Sequence, residues 1–506
     1  MKKKYFFAAL LIFFLTHINI NYPLSYEEVK EGYTAFILEP KILYRTDNYY
    51  VSTLGVYFKA ISISLFGLNI FATRLPNLIA GIFSLFIVWK VSPNIIKNKK
   101  SANLLVVITA LLISFVRVST DNFGLILSLG LMLLFLDSLF KNNYFRLFFL
   151  QILLFFASFY NLIFIIFISI WLALKRPVFL LIPLMLMVII FLTPLKNYIY
   201  QTSVIKFVHP SSYVFTLDNN LSYGAIHDSP LITESFNFNR LFYNKPSFIV
   251  RRLFLWFAGI FDYEYLTSFD KASTILAKEK LFTPLPWMFF WEVPVLIYGL
   301  YLLFKNANQK IKAFCAFVFL GYFFWGVDAF GLLIPIFLLA YGKVVEKLNI
   351  KKIYKYAFWG LATLSLINFL YIFANAPWQT SLVRGSSEIW KRINENEIAQ
   401  NQIVITDRLG ESVYFYLFYK KVEKEDFFHN RKLGIITSDG KKRIESVGNV
   451  VFRSFDFQKE FKSQNQIWVG FTGEFGDGVK PNEIIENISI GNPEIGNDLW
   501  MVKIYE

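Results

Sequence analysis

The chain has 506 residues, 55% hydrophobic, 19% aromatic and only 17% charged, with a mean hydropathy of +0.46. Soluble domains carry about 25% charged residues, so a soluble class is excluded, and the long apolar runs read as a polytopic α-helical membrane protein. The formal charge of +15 would suit nucleic acid, but its carriers cluster in short breaks between apolar runs: Lys2–Lys4, Lys97–Lys100, Lys141–Arg146, Lys175–Arg176, Lys305–Lys312 and Lys343–Lys355. Short cytoplasmic loops hold basic residues in this way, so membrane lipid is the expected partner and nucleic acid is not.

In chain order, apolar runs fall at roughly 5–20, 76–92, 102–116, 123–140, 147–159, 161–174, 178–194, 288–304, 312–326, 329–342 and 355–374. At about 20 residues per crossing, with edges reaching into flanking aromatics, they predict about eleven spans. The N-terminal KKK and YFFAALLIFFLTHINI have the outline of a signal peptide, but no small-residue cleavage site follows, so they are kept as the first span. With Met1 inside, the basic breaks after the even-numbered spans all face the cytoplasm. The other side then receives loop 21–75, a short turn around Arg117–Asp121, the long loop 195–287, Gly326–Asp328 and everything after Trp378. The chain is expected to be integral to the plasma (inner) membrane, multi-pass, with its C-terminal part external or periplasmic.

Cys315 is the single cysteine, so no intrachain disulfide can form. Four histidines without HxxxH spacing argue against a zinc site. Asp137, near a cytoplasmic end, is the acid deep in a predicted span, and Glu292 sits near the start of its own; an ion-coupled transporter would more often place such groups at mid-membrane. From about residue 375 the character changes. IVITDRLG, VYFYLFYKK, NVVFRSF and QIWVGFTG are short β-rich runs between charged segments, and TDRLGESVYFYL resembles the loop and helix that follow a strand. Residues 375–506 are expected to be an external soluble α/β domain, and residues 1–374 the membrane domain.

The first external loop, YPLSYEEVKEGYTAFILEP and onward, gathers Glu27, Glu28 and Glu31. Ser25 and Glu28 have the spacing of a capping box. Val29, Tyr33, Phe36 and Ile37 share one helical face, with Glu27, Lys30, Glu31 and Thr34 on the other and Pro40 ending the helix. The plain alternative is that Glu28 only caps and Glu27 is solvated where negative charge is favoured anyway. Asp47 reads as an exposed loop residue. His209, His227, Arg240, Arg251 and Arg252 fall in or near the long loop.

Glu27-Glu28 followed by Gly32-Tyr33 and Ala35, then Leu65-Phe66-Gly67-Leu68-Asn69, Phe71-Ala72 and Arg74-Leu75-Pro76, resembles the first external loop of GT-C-type glycosyltransferases. These form the superfamily of dolichyl-phosphate-mannose–protein mannosyltransferases and lipid A aminoarabinose transferases, and the chain is most similar to their uncharacterised bacterial branch. Arg117 with Asp121 four residues on, and Trp291-Glu292-Val293-Pro294 with Tyr298-Gly299-Leu300, are further matches. The resemblance covers the membrane part, and the tail matches only in general character. It departs where the usual first Asp is Glu27, where the usual Pro is Thr53, and where a Lys is replaced by Val51.

The resemblance implies a GT-C fold of about eleven transmembrane helices and an inverting transfer of a hexosyl or pentosyl unit from a polyprenyl-phosphate-linked donor. The acceptor would be a protein, lipid or glycan at the external face. Glu27 would be the general base, with Glu28 and Asp121 as supporting acids. Arg117, Arg45, Lys59, Tyr33 and Arg74 would be substrate-binding candidates, with Arg45 or Lys59 replacing the missing Lys at the lipid phosphate. For Arg74 a structural ion pair, and for Arg117 an interfacial anchor, are the competing roles. No cofactor or resident metal is implied, although a divalent cation at the phosphate stays open. The rival readings are a lipid-linked saccharide transporter and an inactive GT-C-like scaffold.

Overall fold

The computed structural model describes residues 3–17, 24, 26–37, 44–45, 50–96, 98–192, 199, 292–325, 327–348, 360, 363, 367, 389–390, 402–406, 412–436, 442–453, 455–459, 466–475, 479, 483–489 and 498–503. Ser25, Pro40, Asp47, Trp291, all but Ile199 of the long loop 195–287, and most of the expected last span at 355–374 lie outside them.

The helices follow the apolar runs, with edges set by caps. The first part holds α1 (Lys3–Thr16), α2 (Tyr26–Phe36), the two-residue pair β1 (Tyr44–Arg45) and β2 (Tyr50–Val51), α3 (Thr53–Phe66) and α4 (Ile70–Ile95). Next come α5 (Lys99–Leu111), α6 (Ile113–Asp121), α7 (Phe123–Phe140), α8 (Tyr144–Ala157), α9 (Leu162–Ala173) and α10 (Leu181–Leu192). The later part of the bundle has α11 (Glu292–Asn306), α12 (Gln309–Trp325) and α13 (Ile334–Leu348).

Among the described residues, Ile70–Asn94, Phe123–Phe140 and Ala329–Lys347 are each long and apolar enough to cross a membrane, by length and composition. Lys99–Leu111 with Ser114–Thr120, bent by 57°, make a fourth if taken as one span. The protein is thus mostly helical with membrane-length apolar helices, while the expected count of eleven spans is not established. The expected turn at Arg117–Asp121 is helical instead. Asn122 alone separates α6 from α7: its N–H closes α6 on Val118, and its Oδ1 accepts from Leu125 N–H at 2.9 Å to open α7. One residue does both jobs, so no further turn residues are needed.

A single apolar core runs through α1, α4 to α10 and α11 to α13. Side-chain hydrogen bonds fasten it from within, where polar groups must find partners inside the protein. Asn161 Nδ2 donates to Ser128 Oγ at 2.8 Å and to the Leu154 carbonyl at 2.7 Å. Asp137 accepts from Asn94 Nδ2 at 2.7 Å and Lys141 Nζ at 2.8 Å, which ties it to its basic break. Basic residues of the breaks also lie over aromatic rings, such as Lys175 over Trp171 at 5.9 Å and Lys305 over Tyr301 at 5.5 Å. These pairs suit a membrane interface, where long cations snorkel and aromatics anchor.

Helix α3 has apolar residues on both sides: Val56 and Ile63 are buried with Lys59 and Ser62, while Phe58, Ile61, Leu65 and Phe66 are exposed. An outward apolar stripe of this kind fits a helix lying in a membrane surface.

The C-terminal residues form a small mixed sheet in the order β4-β5-β6-β3-β7-β9-β8. Its strands are β3 (Gln402–Ile405), β4 (Arg431–Ile436), β5 (Lys442–Val447), β6 (Val450–Phe452), β7 (Gln466–Phe471), β8 (Ile484–Ser489) and β9 (Asp498–Lys503). β3 is parallel to both β6 and β7, and the other pairings are antiparallel. Alternation along β3 and β7 supplies two apolar faces. Val404 and Trp468 join Phe455, Phe457 and Phe475 on one face. Ile403, Ile405, Ile467 and Val469 share a core with Val29, Tyr33 and Val56 of α2 and α3 on the other.

The strand and helix expected around TDRLGESVYFYL are present as β3 and α14 (Ser412–Lys420), and α15 (Lys424–Asn430) follows. The segment VYFYLFYKK, also grouped with the β-rich runs in the sequence, is therefore helical. Its β-formers are used on a helix because both sides are buried. Tyr416 meets Trp390 and Phe452, while Phe418 faces α2. Packing overrides strand propensity in such a place. The first loop and the C-terminal sheet therefore sit at the same end of the bundle.

Candidate active site

The phrase Phe66-Gly67-Leu68-Asn69 makes a corner. Gly67 has φ of +75°, a conformation that L side chains rarely take, and its N–H closes α3 on the Ile63 carbonyl at 2.8 Å. Asn69 opens α4 by accepting from Ala72 N–H at 2.8 Å, and its Nδ2 holds the Phe66 carbonyl at 2.8 Å. The corner sets Arg74, in the second turn of α4, against α2.

Arg74 then grips α2 with a two-pronged pair. Its Nε donates to Glu28 Oε1 at 2.6 Å and its Nη2 to Glu28 Oε2 at 2.8 Å, with both side chains buried. One turn along α2, Glu31 pairs with Lys59 of α3. The lysine is fully buried, whereas Glu31 is 14% exposed. Such parallel Arg–carboxylate bonds fix orientation as well as energy.

Other residues of α2 engage α14, the turn after it and α15. Lys30, fully buried, places Nζ 4.6 Å from the Tyr414 ring centroid. Tyr33 donates its hydroxyl to the Val422 carbonyl at 3.0 Å and packs edge-on against Phe427. Burial, with Tyr416 nearby, raises the Tyr33 phenol well above its ordinary pKa and keeps it protonated. Gly32 lies where a Cβ would stand 2.9 Å from Phe418 Cε2 and 3.1 Å from Thr73 Cγ2. Gly32→Ala should therefore lower the thermal unfolding temperature in detergent. An exposed helical Gly→Ala would gain nearly 1 kcal/mol, but overpacking of about 1–3 kcal/mol opposes it. A raised midpoint would show that the gap accommodates a methyl.

The same end of α4 is tied to α6 and α1. Asn77 Nδ2 donates to the Thr120 carbonyl at 2.7 Å. His17 Nε2 lies 2.9 Å from Ser119 Oγ, and its Nδ1 lies 2.7 Å from the Phe13 carbonyl.

Of the residues singled out in the sequence, Glu28, Tyr33, Lys59 and Arg74 come together around α2. Arg117 is half-buried on α6, and Asp121 is the last residue of that helix. Glu27 occupies the first turn of α2 and Arg45 stands in β1 opposite Tyr50, but the side chains of Glu27, Arg45 and Asp121 lie outside the described residues. His209, His227, Arg240, Arg251 and Arg252 lie outside them altogether. Among the described residues, no three His, Cys, Asp or Glu side chains gather as metal ligands would.

Sequence reasoning did not single out Lys30, Asn77, His17 or the Glu31–Lys59 pairing. The signal for Asn77 and His17 was a polar residue at the edge of an apolar run. For Lys30 there was none, because its partner is hundreds of residues away.

No protein-family model matches the chain, and no curated protein does. Among solved structures it is similar to crystal structures of ArnT from Cupriavidus metallidurans. The apo form is 10% identical over 83% of this chain and 84% of that one, with a TM-score of 0.34. The form bound to undecaprenyl phosphate is 10% identical over 82% and 84%, with a TM-score of 0.36. TM-scores of this size carry no argument about fold or chemistry.

As a chemical assembly, the site holds two carboxylate–cation pairs side by side on one short helix. One pair is sealed and the other reaches solvent through its acid. Such a place can fix a neighbouring carboxylate and offer a cation to an incoming anion.

Proposed function

We propose that the chain is a membrane glycosyltransferase that moves a sugar from a polyprenyl-phosphate-linked donor to a protein, lipid or glycan acceptor at the external face. The observation that supports this reading is the burial of Glu28–Arg74 and Glu31–Lys59 together, beside a helix of membrane length. Burying ions is expensive, at several kcal/mol for each, and a buried pair seldom adds net stability, so the two pairs are read as serving the site. The interfacial lie of α3 brings Lys59 to the depth of a lipid head group.

In this reading Glu27 takes the proton from the acceptor hydroxyl or amine as it attacks the anomeric carbon. The bond from that carbon to the phosphate oxygen breaks, the configuration inverts, and polyprenyl phosphate departs with the bonding pair. Lys59 stabilises the departing phosphate with a further ammonium N–H, its pair with Glu31 kept. Arg74, committed to Glu28, positions α2. Asp121 and Arg117, at the end of α6, orient the acceptor or phosphate. Tyr33 anchors the helix, and Arg45 is a further phosphate cation.

No cofactor is required. The membrane domain is residues 1–374, with eleven spans in the plasma membrane and a cytoplasmic N-terminus; residues 375–506 form the external domain.

The test is purified protein in detergent with radiolabelled polyprenyl-phosphate sugar and a membrane-extract acceptor. Acceptor-dependent release of free polyprenyl phosphate is expected. Donor binding without release would sink the transferase and favour a transporter.

A further inference from the structure

We infer that α14, with the turn and α15 that follow it, is a positioning clamp for α2, acting through Lys30 and Tyr33, so that sugar transfer requires the docked C-terminal part. This rests on the transferase reading above. Helix α2 is short, eleven residues, and isolated helices of that length are marginal in water. Its placement must therefore come from what it packs against. On the bundle side it is held by Glu28–Arg74 and Glu31–Lys59. It also packs there on Val56, Ile63 and Ala72. On the far side the C-terminal part adds the Tyr414 ring under Lys30, the Val422 carbonyl at the Tyr33 hydroxyl, Phe427 against the Tyr33 ring, and Phe418 against Gly32.

These contacts are specific rather than merely apolar. The Lys30 ammonium is fully buried, and a desolvated cation over a ring is stabilised far more than an exposed one. Tyr33 spends its hydroxyl on one main-chain carbonyl. Loosening them frees one side of the helix that carries Glu27 and leaves the other pinned, which is a tilt. Misplacement of a reacting group by about 1 Å can lower a rate about a hundredfold.

The experiment compares wild type, Tyr414→Leu, Tyr414→Phe and Tyr33→Phe in the donor-turnover assay, with hydrogen exchange of the α2 amides measured on the same full-length samples. Tyr414→Leu should lower kcat at least about tenfold with donor KM near wild type, and should speed α2 exchange. Tyr414→Phe keeps a ring under Lys30 and should restore both. Tyr33→Phe removes a single hydrogen bond, keeps the packing, and should lower kcat by a smaller factor, which serves if Tyr414→Leu does not fold.

An active wild type with kcat and α2 exchange unmoved in Tyr414→Leu and Tyr33→Phe removes the clamp and leaves the transferase standing. So does a fall in KM-weighted binding alone, or equal damage from Tyr414→Phe and Tyr414→Leu. A wild type that binds donor but never turns it over sinks the transferase, and the clamp falls with it whatever the exchange shows.

Discussion

Glu27→Gln should slow sugar transfer by roughly 10²- to 10⁴-fold, the usual contribution of a positioned general base, while donor binding persists. Glutamine keeps the size and polarity of the side chain but cannot take a proton. The helix around it should stay in place, because its anchors are Glu28 to Arg74, Glu31 to Lys59 and Tyr33 to Val422. The pH profile gives a second readout. A base works deprotonated, so wild-type kcat should fall as pH drops through the pKa of the Glu27 carboxyl, and the variant should lack that limb. Equal turnover by the two proteins would remove Glu27 from the role and direct attention to Asp121, since Glu28 is already committed to Arg74.

Arg74→Leu should destabilise the protein by about 3–5 kcal/mol, because it leaves the Glu28 carboxylate buried without its fork. The double variant Glu28→Leu with Arg74→Leu should be markedly more stable than the single one, since apolar replacement of a whole buried pair is often neutral or better. Both should have lower activity, for α2 has then lost its forked anchor while Glu31–Lys59 and Tyr33–Val422 remain. Thermal unfolding in detergent, read beside turnover, separates the two effects. Single and double variants that unfold alike would mean that Glu28 finds other partners once Arg74 is gone.

Much of this site could be read in the chain, and the unreadable part has a common cause. Gly67, Asn69 and Arg74 stand out in the sequence as parts of one phrase of the resemblance, with an ion pair weighed for Arg74; the left-handed corner and the cap come from the structure. The face shared by Val29 and Tyr33 is legible because it is a matter of period. What period cannot say is what stands across a face. The polar side of α2 looked solvated in the sequence, yet Lys30 is completely buried, because α14 covers it from the far end of the chain.

Helix α3 misleads in another way: Phe58, Ile61, Leu65 and Phe66 point outward while Lys59 is buried, so apolar character alone does not mark its core face. At Arg117–Asp121 polar residues suggested a turn, but a single Asn122 sufficed to break and restart the helix. In VYFYLFYKK strand formers serve as a helix, because the surroundings rather than the residues decide.

The hydrogen bond from Tyr33 to Val422 joins positions 389 residues apart, which has a consequence for biosynthesis. At about 5–20 residues per second of translation, roughly 20–80 s separate the emergence of Tyr33 from that of Val422. For most of that interval the ribosome has delivered Val29, Lys30 and Tyr33 with their α3 and α4 neighbours Val56 and Ala72, but not Tyr414, Val422 or Phe427. The first loop made is therefore among the last to be completed. A nascent chain stalled or cut short before residue 412 would display an uncovered lysine and tyrosine on the very helix that carries the acids, a mark by which quality-control proteases could tell an unfinished molecule from a finished one.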